Sequence, residues 1–111
     1  MKKLALLNTT IATVDGVFEV RTISLEQAKE LVQSNELLSA IGHDSTAKIM
    51  TELLGVNVPM NRIQFEQEQG QTALVFKLKG RAPEGVVLTK EEIEEIGYEF
   101  KTMTLVSLRG V

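Results

Sequence analysis

The segment 72–79 is apolar on both of its sides when it is extended, and this feature constrains the fold more than any other. Successive side chains of a strand point to opposite faces. Leu74 and Phe76 would therefore face one side, and Ala73 and Val75 would face the other. A strand that is buried on both faces lies inside a sheet rather than at its edge. The segment is predicted to be a central strand.

Four further segments are predicted to be strands from their length, their periodicity and the turn residues around them. They are 4–7, 17–23, 62–66 and 98–108. The third of them is predicted to form a hairpin with 72–79. In the last, Phe100, Val106 and Leu108 are predicted to share one face.

Two helices are predicted from their starting residues. Ser24 is followed three residues later by Gln27, and Thr89 is followed three residues later by Glu92. In this arrangement, a capping box, each side chain accepts a hydrogen bond from a backbone N–H group at the helix start. The spacing predicts helices that begin just after Ser24 and Thr89.

A third helix is predicted to be capped by Asp44 or Ser45 and to end at Gly55, and residues 36–41 are predicted to add a short helical turn. The predicted order is β-β-α-α-β-β-α-β. It describes one α/β domain over residues 1–111, with a mixed sheet of about five strands and about three flanking helices.

Composition excludes several kinds of site. The chain of 111 residues has no cysteine and one histidine, so it has no thiolate ligand or cysteine nucleophile, and one histidine cannot by itself build a metal site. The net charge of −3 argues against broad nucleic-acid binding, and no DNA partner is predicted. No apolar run reaches the ~18 residues that a membrane span requires. The sequence predicts a cytoplasmic protein that needs no cofactor, metal or membrane.

Gly42, His43, Asp44, Ser45 and Thr46 form a polar stretch at the start of a predicted helix. The N-terminus of a helix has unpaired N–H groups and a partial positive charge, so it binds phosphate readily. The hydroxyl groups of Ser45 and Thr46 add further donors. His43 is the candidate for chemistry on a phosphate bound there.

Other candidate residues come from three more segments. Arg81 and Glu84 lie in a loop bounded by glycines, Arg62 begins a predicted strand, and Asn8 and Thr10 follow a buried one. Strand ends in α/β sheets commonly face ligand crevices. One acid or base, several cations and no metal ligands suit metal-free RNA cleavage. In that reaction a ribose 2′-hydroxyl attacks its own phosphate and an acid protonates the departing 5′-oxygen.

Each candidate also has a purely structural interpretation. His43 would then be a loop or helix-capping histidine, and the three residues after it would be N-caps. Arg81 and Glu84 would form an exposed ion pair, and Arg62 would be a solvated strand residue.

Three motifs resemble those of a known family: IGHDST at 41–46, NRI at 61–63 and RAPEGVVL at 81–88. The chain is similar to small proteins from archaeal viruses, phages and bacterial mobile elements that include the type III anti-CRISPR ring nucleases. Members of that family bind cyclic tetra-adenylate. They cut it, without a metal, to linear di-adenylates that end in a 2′,3′-cyclic phosphate, and this switches off type III CRISPR signalling.

The resemblance implies a role for each candidate. His43 matches the general acid, Glu84 matches a supporting acidic residue, and Arg62 and Arg81 match phosphate- or ligand-binding arginines. Asn8, Ser45 and Thr46 match ligand-contacting polar positions of the family. Thr10 is assigned as a further ligand-binding position because it follows the same buried strand as Asn8.

The resemblance also implies a homodimer with the ligand across its two-fold axis, so that each subunit contributes one His43. The chain departs from the viral members after Asn8, where it has Thr9, Thr10 and Ile11. Two alternatives therefore stay open. One is a protein that sequesters a cyclic oligonucleotide without cutting it, and the other is a protein-interaction module of a mobile element.

Overall fold

A five-stranded mixed sheet organises the part of the chain that the computed structural model describes, residues 2–80 and 88–108. Its strands are β1 (Leu4–Leu7), β2 (Gly16–Ile23), β3 (Leu37–Ser39), β4 (Thr72–Leu78) and β5 (Tyr98–Leu108). The helices are α1 (Leu25–Ser34), α2 (Asp44–Leu54) and α3 (Lys90–Ile96). The strand order is β2-β5-β4-β1-β3, with β1 parallel to β3 and β4, and with β5 antiparallel to β4 and β2. The predicted fold class is confirmed.

β3 replaces the helical turn predicted at 36–41, so that prediction is wrong. The N–H group of Leu4 donates to the carbonyl of Glu36 at 2.8 Å, and the N–H group of Ala40 donates to the carbonyl of Leu6 at 3.0 Å. β1 is buried along its whole length. Without β3, one edge of β1 would hold unpaired backbone groups away from water, and this cost outweighs the local preference for a helix.

The prediction of a strand at 62–66 is also wrong, because the chain is irregular there. Both edges of β4 are already paired, to β1 and to β5, so no edge is left for a hairpin partner. Side chains hold the irregular segment instead. Phe65 packs against the sheet, and the amide nitrogen of the buried Gln67 donates to the carbonyls of Gln71 and Met103, both at 2.8 Å.

Buried side chains cover both faces of the sheet. On the first face, Leu74, Phe76 and Phe100 pack against buried residues of all three helices. The second face is smaller, and we define it by its five buried residues, Ala5, Leu7, Ala73, Val75 and Met103. β4 contributes to both clusters and lies between β5 and β1, so the prediction of a central strand is confirmed.

The predicted common face of Phe100, Val106 and Leu108 does not exist. Phe100 is 1% exposed, whereas Val106 is 51% exposed. The register between β2 and β5 shifts beside Val17, and the shift leaves Val106 outside the regular pairing. A β-bulge of this kind breaks the alternation of faces on which the prediction depended.

The predicted helix ends are confirmed at three places. Ser24 with Gln27, and Thr89 with Glu92, each form a complete capping box. Gly55 ends α2 with φ at 73°, a left-handed conformation that favours glycine.

Candidate functional site

The parallel strands β3, β1 and β4 end at one edge of the sheet, which we call the carboxyl edge. Asn8 follows β1 there, residues 40–43 follow β3, and Lys79 follows β4. Ligands of open α/β sheets bind outside the carboxyl ends of the strands. The topology therefore brings Asn8 and His43 to the edge where a ligand is expected.

His43 is the N-cap residue of α2. Its backbone is extended, with φ −123° and ψ 126°, and its carbonyl accepts a hydrogen bond from Ala47 N–H at 3.1 Å. The exposed imidazole makes no capping hydrogen bond. The prediction that Asp44 or Ser45 caps this helix is wrong, because both lie inside the first turn. The N–H groups of that turn receive no cap from the side chain of His43, so this side chain does not compete with an anion for them.

The first turn of α2 carries the other polar residues of the motif. Ser45 is exposed and Thr46 is half-buried. Asp44 forms an exposed ion pair with Lys48, with 3.0 Å between Oδ2 and Nζ. A surface pair of this kind contributes little stability. It nevertheless draws the one carboxylate of the motif toward the second turn of the helix.

Arg62 lies beside the residue that precedes His43. Its Nε donates to the carbonyl of Gly42 at 2.9 Å. A Cβ placed on Gly42 would be 3.6 Å from Cγ of Arg62, so the side chain runs close along the loop. Arg62 is exposed but does not lie in a strand, so its interpretation as a solvated strand residue is wrong. With Nε occupied, its two terminal nitrogens still have donors for an anion.

The remaining predicted site residues fall into two groups. Asn8 is half-buried and Thr10 is exposed, and both lie in the loop after β1. Arg81 and Glu84 lie outside the described residues, and so does the ion pair considered between them. In the described part of the site, Arg62 contacts the loop of His43, and Asn8 lies at the same carboxyl edge through the end of β1.

A polar network beneath the His43 loop was missed by the sequence analysis. Ser39 is buried, and its hydroxyl donates to the carbonyl of Pro59 at 2.6 Å. Asn61 donates from Nδ2 to the carbonyl of Ser39 and from its backbone N–H to the carbonyl of Ile41, both at 2.8 Å. The available signal was a serine that directly follows two leucines, because a buried polar side chain needs a partner.

Lys79 and Tyr98 also lie at the carboxyl edge and were not predicted there. The N–H group of Lys79 donates to the carbonyl of Gly97 at 2.8 Å. A Cβ on Gly97, where φ is 88°, would be 3.3 Å from Cδ of Lys79, so glycine makes room for the lysine stem. Burial raises the pKa of Tyr98, and the charges of Glu94 and Glu26 raise that pKa further, so the phenol stays neutral.

The opposite edge of the sheet has a cavity of about 350 Å³ beside Lys2 and Lys3. The amide side chains that line it donate hydrogen bonds to backbone carbonyls. Gln71 Nε2 donates to the carbonyl of Lys3 at 3.0 Å, and Asn35 Nδ2 donates to the carbonyl of Leu31 at 2.9 Å. The carboxyl edge, where the imidazole of His43 is exposed and does not cap α2, is the better candidate site.

Residues 2–80 and 88–108 hold neither a cluster of metal-binding side chains nor a helix that could span a membrane. No three histidine, cysteine, aspartate or glutamate side chains lie close enough together there to hold a metal ion. In the same residues, no helix has the length and apolar character needed to cross a membrane.

Comparison with known proteins gives consistent matches over most of the chain. The sequence profile of a family described as STIV B116-like matches residues 4–100. Uncharacterized protein 26 of Sulfolobus islandicus filamentous virus is 43% identical over 83 residues, which are 74% of this chain and 70% of that protein. Uncharacterized protein YddF of Bacillus subtilis is 34% identical over 104 residues, which are 92% of this chain and 96% of that protein.

Among solved structures, B116 of Sulfolobus turreted icosahedral virus is similar with a TM-score of 0.78. The similarity covers 93% of this chain and 99% of B116, at 24% sequence identity. At this identity the comparison establishes a common fold.

Proposed function

The chain belongs to the STIV B116-like family, and from that premise we propose that it is a ring nuclease that cleaves cyclic tetra-adenylate without a metal. The products would be linear di-adenylates ending in a 2′,3′-cyclic phosphate, and their formation would switch off type III CRISPR signalling. One observation carries the proposal. The exposed imidazole of His43 stands at the N-terminus of α2, and Arg62 is bonded to the residue just before it. An acid, a cation and backbone donors thus meet at one place.

The proposed reaction uses groups of the site and of the substrate. The 2′-hydroxyl of one ribose gives up its proton to water and attacks the adjacent phosphorus, and the bond from phosphorus to the 5′-oxygen of the next nucleotide breaks. His43, as imidazolium, gives its proton to that departing oxygen. The terminal nitrogens of Arg62 and the N–H groups of the first turn of α2 hold the non-bridging phosphate oxygens.

The other predicted residues would complete the ligand contacts. Ser45, Thr46, Asn8 and Thr10 would contribute hydroxyl and amide groups around the ring. The family resemblance gives two further roles, which we retain as part of the proposal. Glu84 would support His43, and Arg81 would bind a phosphate.

We include a homodimer in the proposal because the ligand is symmetric. A two-fold dimer would place one His43 at each of two opposite phosphodiester bonds, and two cuts would give two di-adenylates. The exposed part of β2, beside the second face of the sheet, is the candidate contact surface. Val20 of β2 pairs with Met103, so its side chain points to this face, and it is 44% exposed. A second copy would cover such apolar side chains.

The absence of a metal requirement gives the first prediction. The purified protein should convert cyclic tetra-adenylate to linear di-adenylate in EDTA at the same rate as in MgCl₂, because the proposed acid and cations are side chains. Chromatography of the products at several times measures this rate. Ring that stays intact at stoichiometric protein would refute the nuclease. Tight binding of intact ring would instead indicate a protein that sequesters the messenger.

The second prediction concerns the oligomeric state that the proposed dimer implies. Val20→Lys should shift the protein from dimer to monomer, because it buries a charge at the proposed interface. Gln33→Lys, which adds the same charge to an exposed position of α1, should leave the dimer intact. Size-exclusion chromatography with light scattering gives both masses. An unsubstituted protein that is monomeric at every concentration would contradict the proposed dimer, and a dimeric Val20→Lys variant would exclude this face as its interface.

A further inference from the structure

The irregular segment 58–62 connects the two ends of α2. At the C-terminal end of the helix, the N–H group of Val58 donates to the hydroxyl oxygen of Thr51 at 2.9 Å. At the N-terminal end, Asn61 and Arg62 contact the loop that carries His43. The segment therefore fixes the position of this loop relative to α2.

Residues 40–42, before His43, have no strand partner in the part of the chain that the structure describes, and β3, which precedes them, is an edge strand of three residues there. Asn61 and Arg62 supply the missing donors. The carbonyls of Ser39, Ile41 and Gly42 accept hydrogen bonds at 2.8, 2.8 and 2.9 Å. Two of these three hydrogen bonds come from Asn61, one from its side chain and one from its backbone. The pair acts as a substitute for a neighbouring strand along residues 39–42.

We propose that Asn61 is a positioning residue that holds the His43 loop in its reactive orientation. This inference rests on the proposed function, because it assigns Asn61 a role through His43. Asn61 is half-buried, and its Nδ2 is bonded to the carbonyl of Ser39, so its amide is committed to the protein backbone. It precedes Arg62, so one short segment sets both the cation and the loop of the acid. Their separation is thereby fixed before a ligand arrives.

The orientation matters because proton transfer is sensitive to distance. A general acid must lie within hydrogen-bond reach of the leaving oxygen. A displacement of about 1 Å can lower a rate by about 10²-fold. Loosening of residues 41–43 should therefore affect the cleavage step much more than the binding of a ligand that has several other contacts.

The kinetic test uses Asn61→Ala in the full chain. Under single-turnover conditions, cleavage of cyclic tetra-adenylate should fall by about 10- to 100-fold, with little change in ligand affinity. The matched control is Asn57→Ala, an exposed asparagine in the same irregular stretch, which should cleave at the unsubstituted rate. Equal cleavage rates for Asn61→Ala and the unsubstituted protein would overturn the inference.

A second readout does not require nuclease activity. ¹⁵N relaxation of the amides of residues 41–43 should show increased motion in Asn61→Ala, while those of β4 stay rigid. The single histidine of the chain gives one set of imidazole signals, which should broaden or shift in the same variant. If Asn61→Ala does not fold, Asn61→Asp tests the same role, because it keeps the size of the side chain but removes the Nδ2 donor to Ser39, and it should loosen residues 41–43 in the same way.

The two failures can be told apart. An unchanged, rigid loop in Asn61→Ala would overturn the positioning role whatever the protein does to cyclic tetra-adenylate. A loosened loop in Asn61→Ala, in a protein whose unsubstituted form neither binds nor cuts the ring, would refute the nuclease. It would leave Asn61 as the residue that orders the loop.

Discussion

Replacement of His43 by alanine should lower the rate of cyclic tetra-adenylate cleavage by about 10²- to 10⁴-fold, which is the usual contribution of a positioned general acid. Affinity for the intact ring should change little, because Arg62 and the N–H groups of the first turn of α2 remain. The imidazole makes no capping hydrogen bond, so its removal should change the stability of the fold little. Single-turnover kinetics, ligand titration and a thermal melt measure these three quantities.

Lys48→Ala provides a matched control for the histidine. Lys48 is exposed on the next turn of α2 and pairs with Asp44 across the surface, so its variant should keep the cleavage rate. Full activity of His43→Ala would remove the imidazole from the proposed mechanism. Equal losses of binding and cleavage would show that His43 contributes affinity rather than a proton.

Phe100→Ala should destabilise the fold by about 3–5 kcal/mol, the usual cost of deleting a buried aromatic side chain. Phe100 is almost fully buried on the first face of the sheet. Its ring centroid lies 5.3 Å from that of Phe76 and 5.8 Å from that of Tyr98. The alanine would leave a cavity between the sheet and its helices and would remove both aromatic contacts. Urea denaturation followed by circular dichroism measures the loss in free energy of unfolding.

Ile63→Ala is the control for this stability prediction. The sequence pattern places Ile63 in a strand, as it does Phe100, but the structure leaves Ile63 41% exposed in an irregular segment. Its replacement should change the free energy of unfolding by no more than about 0.5 kcal/mol. A large loss for Ile63→Ala, or a small loss for Phe100→Ala, would contradict the burial that distinguishes the two positions.

Local patterns predicted those parts of the fold that depend on neighbouring residues. The sequence predicted the capping boxes at Ser24 and Thr89 and the helix end at the left-handed Gly55, because each cap and its partner are a few residues apart. The two apolar sides of β4 could be predicted because burial on both faces makes its consecutive residues 73–76 apolar.

The errors arose where distant pairing decided the local structure. β3 is a strand because the buried edge of β1 needs hydrogen-bond partners, and residues 62–66 are irregular because both edges of β4 are taken. The residues of β3 and of segment 62–66 do not by themselves indicate which strand edges elsewhere in the sheet are free or paired. The bulge beside Val106 depends likewise on its register with β2.

The candidate site shows the same division. The motif around His43 was visible because its polar residues are consecutive, and Arg62 was visible as part of a second motif. The hydrogen bonds that join them were not, because Asn61 and Arg62 lie about 20 residues from the carbonyls they contact. Such contacts depend on how the segment after α2 returns along the helix, and periodicity carries no information about that path.

The position of β5 between β2 and β4 has a consequence for the order in which the molecule can be built. β2 spans residues 16–23, and its only strand partner in the described sheet is β5, at residues 98–108. During synthesis, β2 must therefore wait for residues 98–108 to emerge before it can form this pairing. Pairings so distant in sequence carry a large loop-closure entropy and give slow folding. Until β5 arrives, β2 is an unprotected edge, and this is the stage at which the nascent chain is most exposed to aggregation.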